Sequence, residues 1–262
     1  PDDPIFDDDG LVITVHENLR MDYLSLVMSL YWIALHADPS IMTVVNMLSR
    51  KSHCPTPKLL RYAKFVLRYA YDNRNRNVIQ YSKDMVYGAK FQGETEFPEA
   101  ERVGNRFNIC GFTDADFGIG RSRFSYIIMM AGGPVAWVSK MSTTTPVSTM
   151  EAEMVALKEG ALTIAWLKMF LEDLNFSFNS PIVMFQDNKG VVDTVLLDSY
   201  RHRLRHQMNA VSVVRGLVRH EVIKVVACKT QKQLADLGTK VLGRNIFQEL
   251  IRKIYPRWRN DG

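Results

Sequence analysis

Hydrophobic spacing changes once along the chain, from helical in the first part to strand-like in the second. Between residues 21 and 71 the apolar positions recur every three or four residues, which predicts three consecutive helices. Asp38 and Pro39 are residue types typical of a helix N-cap and first turn, so we expect the second helix to start there. This part of the chain predicts a small helical module.

From about residue 107, short apolar runs typical of strands alternate with stretches of helical periodicity. The predicted strands cover 107–112, 124–130, 135–138, 182–185 and 222–227. The predicted helices cover 148–174, a short stretch from 189 and another from about 232. Three antiparallel strands followed by parallel strand–helix units indicate a mixed α/β domain.

The pattern predicts five segments, of which two are packing units with separate cores. An acidic N-terminal segment (1–19) precedes the helical module (20–82). A polar linker (83–104) joins that module to the α/β domain (105–242), and a basic tail (243–262) follows.

Composition is that of a folded chain, since 47% of the 262 residues are hydrophobic and 10% are aromatic. The three cysteines are too few for a disulfide framework and indicate reduced thiols in an intracellular protein, cytoplasmic or nuclear. No apolar run approaches the roughly 20 residues that a membrane span needs, so no membrane partner is expected.

Four acidic residues stand in separate short motifs beside predicted elements: Asp114, Glu151, Asp187 and Asp236. Carboxylates that come from the ends of different elements can converge, and clustered carboxylates require a hard divalent cation. Taken singly, each acid has a simpler explanation, as a turn residue, a first-turn acid or half of a surface ion pair. Taken in order, they predict a site for two-metal phosphodiester hydrolysis.

Two further acids lie beside these four. Asp116 would point the same way as Asp114 if the strand continues, and is a candidate for supporting the ligands. Glu153 is a second candidate, and it competes with Glu151 for one position. The two glutamates flank the apolar stripe of the predicted helix on opposite sides, so periodicity does not choose between them.

A net charge of +5 is consistent with a polyanionic partner. Five arginines are expected to form one nucleic-acid-binding face beside the carboxylates: Arg201, Arg203, Arg205, Arg215 and Arg219. Arg215 and Arg219 are one helical turn apart, which supports a shared face. The alternative is that these arginines only solvate a helix or contact a neighbouring protein segment.

The order Asp, Glu, Asp, Asp on this pattern resembles the ribonuclease H domain, in particular the one at the C-terminal end of copia-type retrotransposon polyproteins. The matching stretches are 111–117, 132–140, 148–153, 186–188 and 233–240. Stretches at 23–27, 45–50 and 66–69 resemble the thumb and connection region that precedes ribonuclease H in those polyproteins. In all, the resemblance covers roughly residues 20 to 250.

The resemblance implies a ribonuclease H-like mixed sheet flanked by helices and preceded by a small helical module. It implies hydrolysis of the RNA strand of RNA–DNA hybrids, with two Mg²⁺ ions, or Mn²⁺ in their place, held by Asp114, Glu151, Asp187 and Asp236. It thus places Glu151, and not Glu153, in the catalytic position. The implied partners are the hybrid and the polymerase part of the same polyprotein or a larger assembly.

Some positions depart from the copia pattern. Where that pattern has His-Ile-Asp this chain has His-Gln-Met at 206–208, and Val241 stands where a proline is usual. These changes leave open a host-adopted or degenerate copy that acts as a non-catalytic binding or structural subunit. A polymerase palm hairpin at 5–11 is a third interpretation, which its short spacing to Tyr23 argues against.

Overall fold

The computed structural model describes residues 5–6, 12–13, 17–81, 109–118, 121–143, 145–197 and 206–255. The chain divides into two compact units, Pro1–Asn77 and Val78–Gly262. The predicted linker (83–104) lies outside the described residues. In the described ranges, no helix combines the length and the apolar character needed to cross a membrane.

The first unit is a helical module, as the apolar spacing predicts. Two short strands, β1 (Ile5–Phe6) and β2 (Val12–Ile13), pair antiparallel within it. Its helices are α1 (Glu17–His36), α2 (Met42–Ser49) and α3 (Pro57–Asp72). Fully buried positions of its core are Tyr23, Val27, Leu30, Val45 and Ala63.

The turn between α1 and α2 is fixed by Asp38, as predicted. Its side chain accepts a hydrogen bond from the Ser40 backbone N–H at 3.0 Å and so caps a 3₁₀ turn, Pro39–Ile41, that leads into α2. The other carboxylate oxygen of Asp38 accepts from Asn77 Nδ2 at 2.7 Å. This buried pair ties the residues after α3 to the start of α2.

The second unit is built on a five-stranded mixed sheet. Its strands are β3 (Cys110–Asp116), β4 (Arg123–Met130), β5 (Gly133–Met141), β6 (Ile182–Gln186) and β7 (Ile223–Ala227). They lie in the order β5-β4-β3-β6-β7. The β3–β4 and β4–β5 pairs are antiparallel, whereas β3–β6 and β6–β7 are parallel. With the helices beside it, this sheet confirms the predicted fold class.

The long helix α4 (Thr149–Asp173) packs across the sheet and supplies much of the core. Gly160 lets it approach closely, because a Cβ at this position would lie 2.7 Å from Thr113 Cγ2. Thr113 of β3 therefore faces α4.

The rest of the described second unit contains four shorter α-helices and a 3₁₀ turn, Thr230–Lys232. The helices are α5 (Lys189–Leu196), α6 (Met208–Arg219), α7 (Asp236–Thr239) and α8 (Arg244–Ile254). The last of these helices covers residues 244–254 of the predicted basic tail (243–262). Leu250, Ile251 and Ile254 are buried at helical spacing, and Lys253 between them is buried as well.

Candidate metal centre

Sheet topology brings the first and third predicted acids together. Asp114 lies inside β3 rather than at its end, and Asp187 directly follows β6. The two strands are parallel neighbours in which Thr113 pairs with Gln186, so Asp114 and Asp187 reach the same edge of the sheet. Asp114 is buried, with only 1% of its surface exposed, and Asp187 is half-buried.

The glutamate that joins them is Glu153, from the second turn of α4. Carboxylate oxygens of Asp114, Glu153 and Asp187 all lie within 4.8 Å of one another. Glu153 is 5% exposed, so both Glu153 and Asp114 are buried although their carboxylates lie close together. This triad is the core of the candidate site.

Glu151 has a different position from the one that the resemblance implies. Its backbone N–H donates to Ser148 Oγ at 3.2 Å, and its Oε2 accepts from the Val147 N–H at 2.8 Å. This is a form of the capping box, in which a Ser at the helix start and a Glu three residues later satisfy free N–H groups. Because Glu151 and Glu153 are about 200° apart around the helix, only one of them can face the sheet edge.

The sequence contains a signal that distinguishes the two glutamates. Ser148 and Glu151 have the Ser-x-x-Glu spacing of a capping box, which explains Glu151 without any metal. That explanation leaves Glu153 as the glutamate available to the site.

The fourth acid joins the cluster through a lysine. Asp236 begins α7 and is 4% exposed. Lys240 Nζ lies 2.8 Å from Asp236 Oδ1 and 3.2 Å from Asp114 Oδ1, and so bridges the two carboxylates. The Thr239 hydroxyl donates to Asp114 Oδ2. Neither Thr239 nor Lys240 was among the predicted site residues.

Buried side-chain bonds hold the short helix α7 and its flanks on the sheet. Gln233 Nε2 donates to the Thr113 backbone oxygen at 2.9 Å. Ser139 of β5 donates to the Gly238 oxygen at 2.6 Å, and Arg123 of β4 donates to the Thr239 oxygen at 3.3 Å. The position of Asp236 therefore depends on three strands and not on α7 alone.

Gln186 supports the triad from the last position of β6. Its Nε2 donates to Glu153 Oε2 and to Thr113 Oγ1, each at 3.3 Å, and its Oε1 accepts from the Asn188 N–H at 2.9 Å. Gln186 is fully buried. An amide fixed at both ends in this way orients the carboxylate that it contacts.

Burial and mutual repulsion raise the pKa values of the acids. Burial, and next the charges of Asp114 and Asp187, raise the pKa of Glu153 well above its usual range. Burial and the Asp114 charge also raise the pKa of Asp187. The pKa of Asp236 rises to about 7 through burial and Asp114, although Lys240 opposes the rise. The site thus favours a positive partner for its carboxylates.

The donor set fits a hard divalent cation. Mg²⁺ and Mn²⁺ prefer carboxylate oxygens, and the three oxygens within 4.8 Å of one another are close enough to share one ion. Asp116, predicted as a supporting acid, is exposed at the end of β3 and lies outside this triad.

The predicted basic face is only partly within the described residues. Arg201, Arg203 and Arg205 lie outside them. Arg215 donates from Nη2 and Nε to the Thr194 oxygen at 2.7 and 3.3 Å, which fastens α6 to α5. Arg219 is exposed in the last turn of α6. Nucleic-acid binding by these arginines stays a prediction.

Comparison with known proteins gives the chain its relatives. No family model matches it. It is 26% identical, over 89% of its length, to the retrovirus-related Pol polyprotein from transposon RE1 of Arabidopsis thaliana. It is 27% identical, over 87% of its length, to the corresponding polyprotein from transposon TNT 1-94 of Nicotiana tabacum. The resemblance to retrotransposon Pol polyproteins is confirmed. The chain spans only 15% and 16% of these two relatives.

A smaller relative is the secreted RxLR effector protein 161 of Plasmopara viticola. It is 28% identical over 152 residues, which cover 56% of this chain and 92% of that protein. Among solved structures, an N-terminal ribonuclease H domain from Mycobacterium tuberculosis is similar at 11% identity, with a TM-score of 0.40. The match covers 55% of this chain and 96% of that one.

Proposed function

We propose that this chain is a divalent-metal-dependent ribonuclease H module of a retrotransposon reverse transcriptase, which hydrolyses the RNA strand of RNA–DNA hybrids. The observation that carries the proposal is the triad of Asp114, Glu153 and Asp187 at one edge of the mixed sheet. The kinship with Pol polyproteins supports the same function. An acidic cluster alone would indicate only a cation site.

Asp114, Glu153 and Asp187 would hold the divalent metal, and Asp236 would complete the set of four acids. The bound metal supplies an activated water and stabilises the charge that develops on the leaving oxygen. Glu153 takes the role that the resemblance gave to Glu151, because it is the glutamate that reaches the two aspartates.

Other residues of the chain keep these acids in position. Gln186 orients Glu153, and Thr239 together with Lys240 orients Asp114. Preorganised carboxylates need little rearrangement when the metal and the scissile phosphate arrive. Arg219 is a candidate for contact with the backbone of the hybrid, whose phosphates would otherwise be repelled by the four acids.

Cleavage of a labelled RNA–DNA hybrid in Mg²⁺, in Mn²⁺ and in a chelator tests the proposal. We expect cuts in the RNA strand with either metal, and none with the chelator or on duplex DNA. The substitution Glu153→Gln should abolish cleavage, whereas Glu151→Gln should retain it because glutamine also serves in a capping box. Cleavage that survives Glu153→Gln would contradict the assigned site.

A non-catalytic binding module is the second candidate. The relative secreted RxLR effector protein 161 consists almost entirely of a region similar to this chain, so such a region occurs outside a polyprotein. Under this alternative, the chain binds hybrid or a protein partner but leaves the RNA intact in both metals. The same cleavage assay, combined with a measurement of hybrid binding, separates the two candidates.

A further inference from the structure

Lys240 occupies the side of the cluster formed by Asp114 and Asp236. Its ammonium lies 3.2 Å from the first carboxylate and 2.8 Å from the second, and its side chain is 37% exposed. A cation therefore already sits between two of the four acids that the ribonuclease H resemblance assigns to a pair of metal ions.

The position of this ammonium is fixed by the fold. The Lys240 backbone N–H donates to the Asp236 oxygen at 3.1 Å, which closes α7. The preceding residue, Thr239, donates its hydroxyl to the second oxygen of Asp114. Thr239 and Lys240 thus bond the two oxygens of Asp114. The hydrogen bonds from Ser139 and Arg123 that hold α7 on the sheet also keep these two residues in place.

Charge divides the cluster into two halves. In the first, Asp114, Glu153 and Asp187 present three carboxylates within reach of one ion. In the second, the carboxylates of Asp114 and Asp236 share the Lys240 ammonium. A second divalent ion placed there would be repelled by the ammonium and would have to displace it.

We propose that Lys240 stands in for the second divalent ion in the substrate-free chain, which therefore binds one ion, at Asp114, Glu153 and Asp187. This inference rests on the proposed metal-dependent function and deepens it, because it replaces the two ions implied by the resemblance with one ion and one fixed ammonium. A lysine cannot activate water as a metal does, so its role is to position Asp114 and Asp236 and to neutralise them.

Counting bound Mn²⁺ in the absence of nucleic acid tests the inference. The full chain is titrated with Mn²⁺ alone, and the free ion is followed by its paramagnetic resonance signal. We expect one ion for the wild-type chain, two for Lys240→Met, and one for the charge-retaining Lys240→Arg. Isothermal titration with Ca²⁺ gives an independent stoichiometry for the same three proteins.

Two further substitutions place the single ion. Glu153→Gln should weaken Mn²⁺ binding at least about 10-fold, since it removes a ligand, whereas Asp236→Asn should change it less than about 3-fold. If Lys240→Met is too unstable to titrate, two measurements remain. The wild-type stoichiometry gives the number of ions, and the Glu153→Gln and Asp236→Asn variants show where the ion binds.

The outcomes are distinct. Two ions in the wild-type chain, or one ion in a folded Lys240→Met variant, would overturn the role of Lys240 and leave the metal site standing. Binding that weakens with Asp236→Asn but not with Glu153→Gln would also overturn it. A wild-type chain that binds no Mn²⁺ would instead overturn the proposed metal-dependent function and, with it, this inference.

Discussion

Two sides of the carboxylate cluster are built by different parts of the fold. On the sheet side, the acids come from β3, α4 and the end of β6, and Glu153 accepts a hydrogen bond from the neutral amide of Gln186. On the α7 side, Asp236 is joined to Asp114 by the charged Lys240. Carboxylate pKa values are raised on both sides. The difference is that Lys240 supplies a cation on the α7 side, whereas the sheet side needs an external one.

A matched pair of glutamines shows the same contrast. Gln186 and Gln233 are both fully buried, and both donate to Thr113, one to its hydroxyl and the other to its backbone oxygen. Gln186 also donates a hydrogen bond to the proposed metal ligand Glu153. Gln233 instead bonds β3 from the segment that precedes α7. We therefore expect metal binding to depend on Gln186 and the stability of the fold to depend on Gln233.

The largest effect is expected from Glu153→Gln on the sheet side. Hybrid cleavage should fall at least about 100-fold, because losing a metal ligand removes several kcal/mol of transition-state stabilisation and each ~1.4 kcal/mol is tenfold. In metal-free buffer the same substitution should raise the melting temperature, since one of three facing carboxylates becomes neutral. Cleavage rates and thermal unfolding measure both effects.

Glu151→Gln is the control for that substitution, because it removes the same charge two residues away on the same helix. It should leave cleavage close to the wild-type rate. Equal losses in the two variants would mean that the charge near the start of α4, and not ligation by Glu153, matters for activity.

The glutamine pair is expected to give the next largest effects. Gln186→Met should lower Mn²⁺ affinity about 10-fold, because Glu153 loses the group that orients it. Gln233→Met should instead lower the free energy of unfolding by about 1–3 kcal/mol, since it removes a buried hydrogen bond, and change Mn²⁺ affinity little. Mn²⁺ titration and urea unfolding of both variants separate binding from stability. A reversed pattern would contradict the division into two sides.

Removing the side chain of Glu151 tests its capping role. Glu151→Ala should lower the free energy of unfolding by about 1 kcal/mol, because α4 loses its bond to the Val147 N–H. Cleavage measured below the melting transition should remain close to that of the wild-type chain. A Ser148→Ala variant removes the other half of the same box and should have a similar cost in stability. A large loss of activity in either variant would mean that Glu151 takes part in the metal site and does not only cap the helix.

The sequence predicts the sheet side better than the α7 side, for physical reasons. Strand periodicity identifies β3 and β6, and parallel pairing of neighbouring strands then brings Asp114 and Asp187 together. The choice between Glu151 and Glu153 depends on helix orientation, which apolar periodicity leaves open, although the capping box pattern decides it. The bridge from Lys240 is a tertiary contact between residues 126 positions apart, so no local pattern announces it.

The α8 region shows a similar limit. Five of the twenty residues at 243–262 are basic, yet Leu250, Ile251 and Ile254 are buried in a helix. Net charge does not indicate which side of the helix packs, and Lys253 is itself buried. The hydrophobic periodicity of residues 244–254 predicts the packed side of the helix better than their charge does.

The smallest effect is expected away from both sides, at the two arginines of α6. Arg219→Ala should weaken hybrid binding modestly and reduce the slope of log affinity against log salt by about one unit, as expected for one lost phosphate contact.

Arg215→Ala is the matched control, since the guanidinium of Arg215 bonds the Thr194 oxygen. It should lower stability by about 1 kcal/mol and leave the salt slope unchanged. Hybrid binding measured at several salt concentrations gives the slopes, and thermal unfolding gives the stability. If Arg219→Ala leaves the slope unchanged in a folded protein, α6 is not the nucleic-acid face, and the phosphate contacts must come from another surface.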